Sequence, residues 1–136
     1  MEKKPIVAFV CVHNACRSQM AEALGRRFAG DVMECRSAGT ELKAEIDPGA
    51  VQMMRQHYGI DMPAVQRPKL LAELPPVDIL VTMGCNVQCP ALPCRSREDW
   101  GLDDPSGKGE EAYLAAARAI EEKLASLKRR ICAGEV

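Results

Sequence analysis

The chain has 136 residues, 47% of them hydrophobic and 27% charged, with a net charge of −1. That is one domain's worth of chain with enough apolar matter for a core, so a single domain over residues 1–136 is expected. The near-neutral charge and the 4% aromatic content offer neither a field nor a stacking surface for nucleic acid, and no run reaches the ~18 apolar residues of a membrane span, so nucleic acid and membrane are excluded as partners.

The elements follow in order. Ile6 to Val10 is an unbroken apolar run, the pattern of a strand buried on both faces. A helix follows with Met20, Leu24 and Phe28 on one stripe and Gly30 as its stop. Val32 to Ala38 reads as a second strand. Asp47-Pro48 supplies an N-cap and a first-turn proline for a helix carrying Val51, Met54 and Tyr58 on one face. After Pro75-Pro76, Val77 to Met83 reads as a third buried strand, and residues 84–108 as mostly loop with one short strand. The last helix is marked by Tyr113, Ala116, Ala117, Ile120, Leu124, Leu127 and Ile131. Strands alternating with helices predict an α/β fold, a parallel sheet with helices on both faces and ligands beyond the carboxyl ends of its strands.

Seven cysteines, at 11, 16, 35, 85, 89, 94 and 132, are an odd number, and Met1 to Pro5 carries no leader pattern. This does not suit a disulfide-stapled exported domain; it suits the cytoplasm, where free thiols serve chemistry or metal. Cys35 reads as strand filler and Cys132 as a surface thiol near the end of the chain.

The loop after the first strand, Cys11-Val12-His13-Asn14-Ala15-Cys16-Arg17-Ser18, opens a helix. Its backbone N–H groups converge beside the positive end of the helix dipole, which makes residues 12–18 a nest for a tetrahedral oxyanion. The same field favours the Cys11 thiolate as a nucleophile, and Arg17 can grip two anion oxygens through its planar fork. A buried structural Cys11 beside a surface Arg17 is the plainer reading of the same spacing, and the placement between strand and helix counts against it. His13 either tunes the thiolate or bonds backbone, the latter being the commoner use of a loop histidine; Asn14 shapes the loop in a left-handed conformation or through its side chain. Further on, Asp104 sits before Pro105, presented from a loop where an acid could protonate a departing oxygen; a turn aspartate with local hydrogen bonds is the bland alternative.

Taken together, Cys11 to Ala23, Ser37-Ala38-Gly39, Val81-Thr82-Met83 and Asp99 to Pro105 resemble the thioredoxin-coupled arsenate reductases, which share their fold with the low-molecular-weight protein tyrosine phosphatases. The resemblance spans nearly the whole chain. It implies a four-stranded parallel sheet forming one catalytic domain, with Cys11 as nucleophile, Arg17 as anion clamp and Asp104 as acid. It also implies arsenate as substrate, phosphate or sulfate as analogues, and no cofactor. Ser106-Gly107 stand after the Asp-Pro pair, where phosphatases of this fold usually place tyrosines that flank an aromatic substrate.

The run Met83 to Cys94 carries three thiols that a phosphatase does not need. The relay implied for the reductases has a second cysteine attack Cys11 and a third move the disulfide to a surface where thioredoxin or another thiol carrier reduces it. Cys85 and Cys89 are the expected second and third members, although the family pattern spaces them more widely, and Cys94 could replace either. At Gln66-Arg67-Pro68-Lys69 the chain lacks the acidic residue with which some relatives bind potassium, which speaks against an alkali-metal site in spite of Asn14 and Ser37. Two other readings stay open: a phosphatase using Cys11, Arg17 and Asp104 alone, and a binder holding zinc or arsenite on Cys85, Cys89 and Cys94.

Overall fold

A computed structural model of the chain describes residues 4–41, 43–84 and 93–136. Strands β1 (Ile6–Cys11), β2 (Glu34–Gly39), β3 (Ile79–Thr82) and β4 (Ser96–Asp99) form one sheet in the order β2-β1-β3-β4, with every neighbouring pair parallel. Helices α1 (Arg17–Ala29), α2 (Pro48–Tyr58), α3 (Met62–Val65) and α4 (Glu110–Cys132) and a 3-10 turn at Leu71–Glu73 complete the described elements. β1 lies between two strands, which is why Val7 to Val10 are fully buried, whereas edge strand β4 alternates between half-buried and exposed positions.

Strand periodicity divides the core. Val7, Phe9, Ile79 and Val81 face a large cluster shared with α1, α2 and α4, rich in methionine (Met20, Met53, Met54, Met62, Met83). In a chain so poor in aromatic residues, these flexible thioethers fill the gaps that rings usually fill. Ala8, Val10 and Leu80 face a smaller cluster with Val77, capped by Leu71, Leu74 and Cys94.

Three expectations shift. The second strand begins at Glu34, two residues later than its apolar pattern suggests, because Val32 N and Met33 N are still bonded to Ala29 O at 3.0 and 3.1 Å. The third strand is confined to Ile79–Thr82. Phe28, expected on the inner stripe of α1, is 43% exposed. Each i+4 step advances about 40° around a helix, so Phe28 stands about 80° from Met20 and has turned away from the sheet. Gly30 does end α1, but in a right-handed conformation with φ −62°. Cys35 is buried and Cys132 exposed, as their sequence contexts suggest.

Candidate active site

Cys11 closes β1 beside both β2 and β3, where the chain's crossovers leave the sheet in opposite directions. Parallel α/β sheets open a crevice at such a point. The loop that follows fits because Gly39, at the end of β2, has no side chain: a Cβ there would stand 2.6 Å from Val12 O and 2.8 Å from Asn14 N. Asn14 is left-handed, with φ 53°, as its residue type allows. At the start of α1, Cys16 makes no side-chain cap and the first turn has no acidic residue, which leaves the orphan N–H groups to an anion.

Ser18 Oγ lies 2.8 Å from Cys11 Sγ and accepts a hydrogen bond from Asn14 Nδ2 at 2.8 Å. With its oxygen so occupied, the serine hydroxyl is placed to donate its proton to the sulfur, a bond that strengthens when the sulfur is anionic. Cys16, on the same loop, is different: burial pushes its thiol up to about 12 against the pull of a hydrogen bond from Ser106. Burial likewise lifts Cys35 to about 12. Both are therefore neutral thiols at physiological pH.

Arg17 is buried, and its Nη1 donates to Met83 O at 3.1 Å and Leu102 O at 2.6 Å. These carbonyls, beyond β3 and β4, come together where Gly84, at φ 83°, crosses Gly101; a Cβ on Gly84 would be 2.6 Å from Gly101 Cα. With Nη1 committed to the scaffold, the two-oxygen grip expected of Arg17 falls to the Nε–Nη2 edge. Nη2 stands 4.0 Å from Asp104 Oδ2. Asp104 is more than half exposed, and its Oδ1 accepts from Ser106 N at 3.1 Å and Ser106 Oγ at 2.7 Å. Partial burial alone would raise its carboxyl, but the Ser106 bonds, Arg17 and Lys108 together hold it below the ordinary aspartate range. Asp104 thus makes the local turn of its blander reading and also faces the clamp.

A cavity of 330 Å³ opens over the loop, lined by Cys11, His13, Arg17 and Asp104 and also by Lys43 and Asp47. The last two were not foreseen as part of the site. Asp47 sits at the N-cap of α2, but its side chain makes no cap; it accepts from Tyr113 Oη at 2.5 Å. Tyr113 Oη also accepts from Gly107 N at 3.2 Å and so ties the Asp104 loop to α2. Of the two readings of His13, the described bonds show neither a backbone partner nor the thiolate for Nε2: it pairs with Glu41 Oε2 at 3.2 Å on the rim of the cavity.

Glu22 is buried and accepts from Ser37 Oγ, and its carboxylate is paired with Arg26 Nη2 at 2.6 Å and with Lys69 Nζ at 3.4 Å. Two cations thus answer the buried charge of Glu22. Among the described residues no three His, Cys, Asp or Glu side chains gather to hold a metal. Cys85 and Cys89 lie outside the described residues. Cys94 is half-buried against the smaller cluster of the core, where it behaves as an apolar filler.

The family model for low molecular weight phosphotyrosine protein phosphatases matches residues 6–134. The chain is 34% identical to arsenate reductase 1 of Staphylococcus epidermidis, over 96% of this chain and 100% of that one. A solved arsenate reductase in a phosphate-binding state superposes with a TM-score of 0.83 at 30% identity, covering 93% of this chain and 98% of the other. A thioredoxin-dependent arsenate reductase of Corynebacterium glutamicum superposes with a TM-score of 0.77 at 32% identity, covering 98% of this chain and 64% of the other.

Proposed function

The chain belongs to the low molecular weight phosphotyrosine protein phosphatase family, and we propose that within it the protein works as a reductase, converting arsenate to arsenite through nucleophilic attack by Cys11. The observation that carries this reading is the alignment of Cys11, Ser18 and Arg17 around an uncapped helix start, in a chain that is similar over its length to arsenate reductases.

Arsenate enters the cavity with its oxygens on the loop N–H groups and the Nε–Nη2 edge of Arg17. The Cys11 thiolate attacks arsenic and one oxygen departs, protonated, as water. Asp104 is ionised at neutral pH in the ligand-free site, so it acquires the departing oxygen's proton on binding, from an As–OH of the substrate itself, and passes it on. A second thiolate then attacks Cys11 Sγ; the electron pair of the S–As bond goes to arsenic, which leaves as arsenite, and the two sulfurs are joined. Arsenic gains two electrons and two thiols lose them.

Cys16 and Cys35 are unsuited to the second attack because burial keeps them protonated. The relay that the likeness to the reductases implies takes Cys85 as second and Cys89 as third thiol, with thioredoxin or a comparable dithiol as final reductant. A reducing cytoplasm is the compartment in which such a relay can be recycled. None of the described helices is long and apolar enough to cross a membrane.

The phosphatase alternative has less support. The ring of a phosphotyrosine would need aromatic walls, and the described residues lining the cavity offer none beyond the His13 imidazole. The test is a side-by-side assay: arsenate-dependent oxidation of a thioredoxin system is the expected result. Phosphoester hydrolysis without arsenate reduction would overturn the reading.

A further inference from the structure

We propose that Gln19 is a positioning residue for Cys11, setting the hydrogen-bond polarity that aims the Ser18 hydroxyl at the sulfur. This rests on Cys11 being the nucleophile, as above. Gln19 is fully buried on the first turn of α1, where a long polar side chain is costly unless every polar atom is used. Its Nε2 lies 3.0 Å from each of three acceptors: Asn14 O, Asn14 Oδ1 and Arg67 O.

Two of those acceptors are backbone carbonyls, which cannot exchange roles, so the NH₂ end of Gln19 has only one orientation. Asn14 Oδ1 therefore receives a donor from Gln19 and another from the backbone N–H of Lys69 at 3.0 Å. With Oδ1 settled as an acceptor, Nδ2 must point to Ser18, and Ser18 has its own proton left for Cys11. Gln19 and the Lys69 N–H together impose the polarity of the chain, which is delivered at the sulfur.

Gln66 closes the far end of the network. Gln19 Oε1 and Gln19 O both face Gln66 Nε2, at 2.7 and 3.1 Å. Gln66 Oε1 is left buried without a partner among the described residues. Flipping the Gln66 amide would set its oxygen against two other acceptors, so the orphan stays at the end of the chain, remote from the sulfur.

The test is the rate of Cys11 alkylation by iodoacetamide as a function of pH, followed by peptide mass spectrometry. Gln19→Glu keeps the shape but sets a carboxylate against Asn14 Oδ1, which drives the Asn14 amide to turn against the remaining hold of Lys69 N–H and draws the Ser18 proton away from the sulfur. The expected result is alkylation at neutral pH slowed about ten-fold and a profile moved about one pH unit upward, the scale of one lost charge-assisted hydrogen bond. Gln66→Met should move the profile less, because backbone carbonyls orient Gln19 without it. If Gln19→Glu does not fold, Gln19→Met removes one of the two donors to Asn14 Oδ1 without adding charge, and a smaller displacement in the same direction is expected. A wild-type profile in a folded Gln19 variant overturns the proposal. Because no arsenate enters this measurement, failure of the reductase assay with a displaced profile would sink only the proposed function.

Discussion

Arg17 Nη2 and Asp104 Oδ2 face each other across the mouth of the cavity at 4.0 Å, too far for a strong ion pair and close enough for both to reach one bound oxyanion. Arg17 is locked by Met83 O and Leu102 O, whereas among the described residues the hydrogen bonds of Asp104 are those of its own turn. Arg17→Lys should therefore lower kcat/KM for arsenate by about 10²- to 10³-fold, since a lysine cannot bond both carbonyls and still offer a fork. Asp104→Asn should slow single-turnover chemistry by about 10²-fold, with Asp103→Asn changing it little. Equal effects at the two aspartates, measured by rapid quench, would remove Asp104 from the proton path.

The relay predicts distinct trapped species. After one turnover, Cys89→Ser should accumulate a Cys11–Cys85 disulfide, Cys85→Ser should stall before a stable disulfide with Cys11, and Cys94→Ser should turn over. The packing of Cys94 in the smaller core cluster supports the last expectation. Mass spectrometry of alkylated digests reads all three; a Cys11–Cys89 bond would reverse the proposed order.

Gly39→Ala tests the fit of β2 against the anion loop. Its Cβ would meet Val12 O and Asn14 N, both backbone atoms that cannot swing aside. Overpacking of this kind costs about 1–3 kcal/mol. The variant should melt lower and should also lose protection of Cys11 from alkylation by added phosphate. Loss of stability with protection intact would mean that the loop adapts.

The bidentate pair of Glu98 with Arg130, at 2.7 and 3.0 Å, ties edge strand β4 to the last turns of α4. The Arg130 bond holds the Glu98 carboxyl below its ordinary range although partial burial opposes it. A carboxyl lowered on folding contributes its stability above its unfolded value, and that contribution is lost as the pH falls through the folded value. Arg130→Met should thus cost about 1 kcal/mol at pH 7 and progressively less as the solution is acidified below the unfolded glutamate range. Urea melts at several pH values check the trend; a cost independent of pH would assign it to packing of the arginine stem.

The local signals in this chain were strong where one residue's chemistry decides the outcome. A continuous apolar run of only five residues that ends in a turn is too short for a helix and fits a strand with neighbours on both sides, so β1 was legible, and with it the position of Cys11 at the carboxyl edge of the sheet. The cluster of Cys11, Asn14, Arg17 and Ser18 could be read because its members share one turn, and their spacing carries their geometry. Contacts between distant segments leave no such periodic trace. That Arg17 is clamped by carbonyls 66 and 85 residues away, that Asp47 is bound by Tyr113, and that Lys69 pairs with Glu22 all depend on how the ends of β3 and β4 and the connection after β2 converge on the loop. Phe28 was misplaced for the converse reason: helical spacing says which residues share a stripe, but only the extent of the sheet decides where that stripe stops being covered.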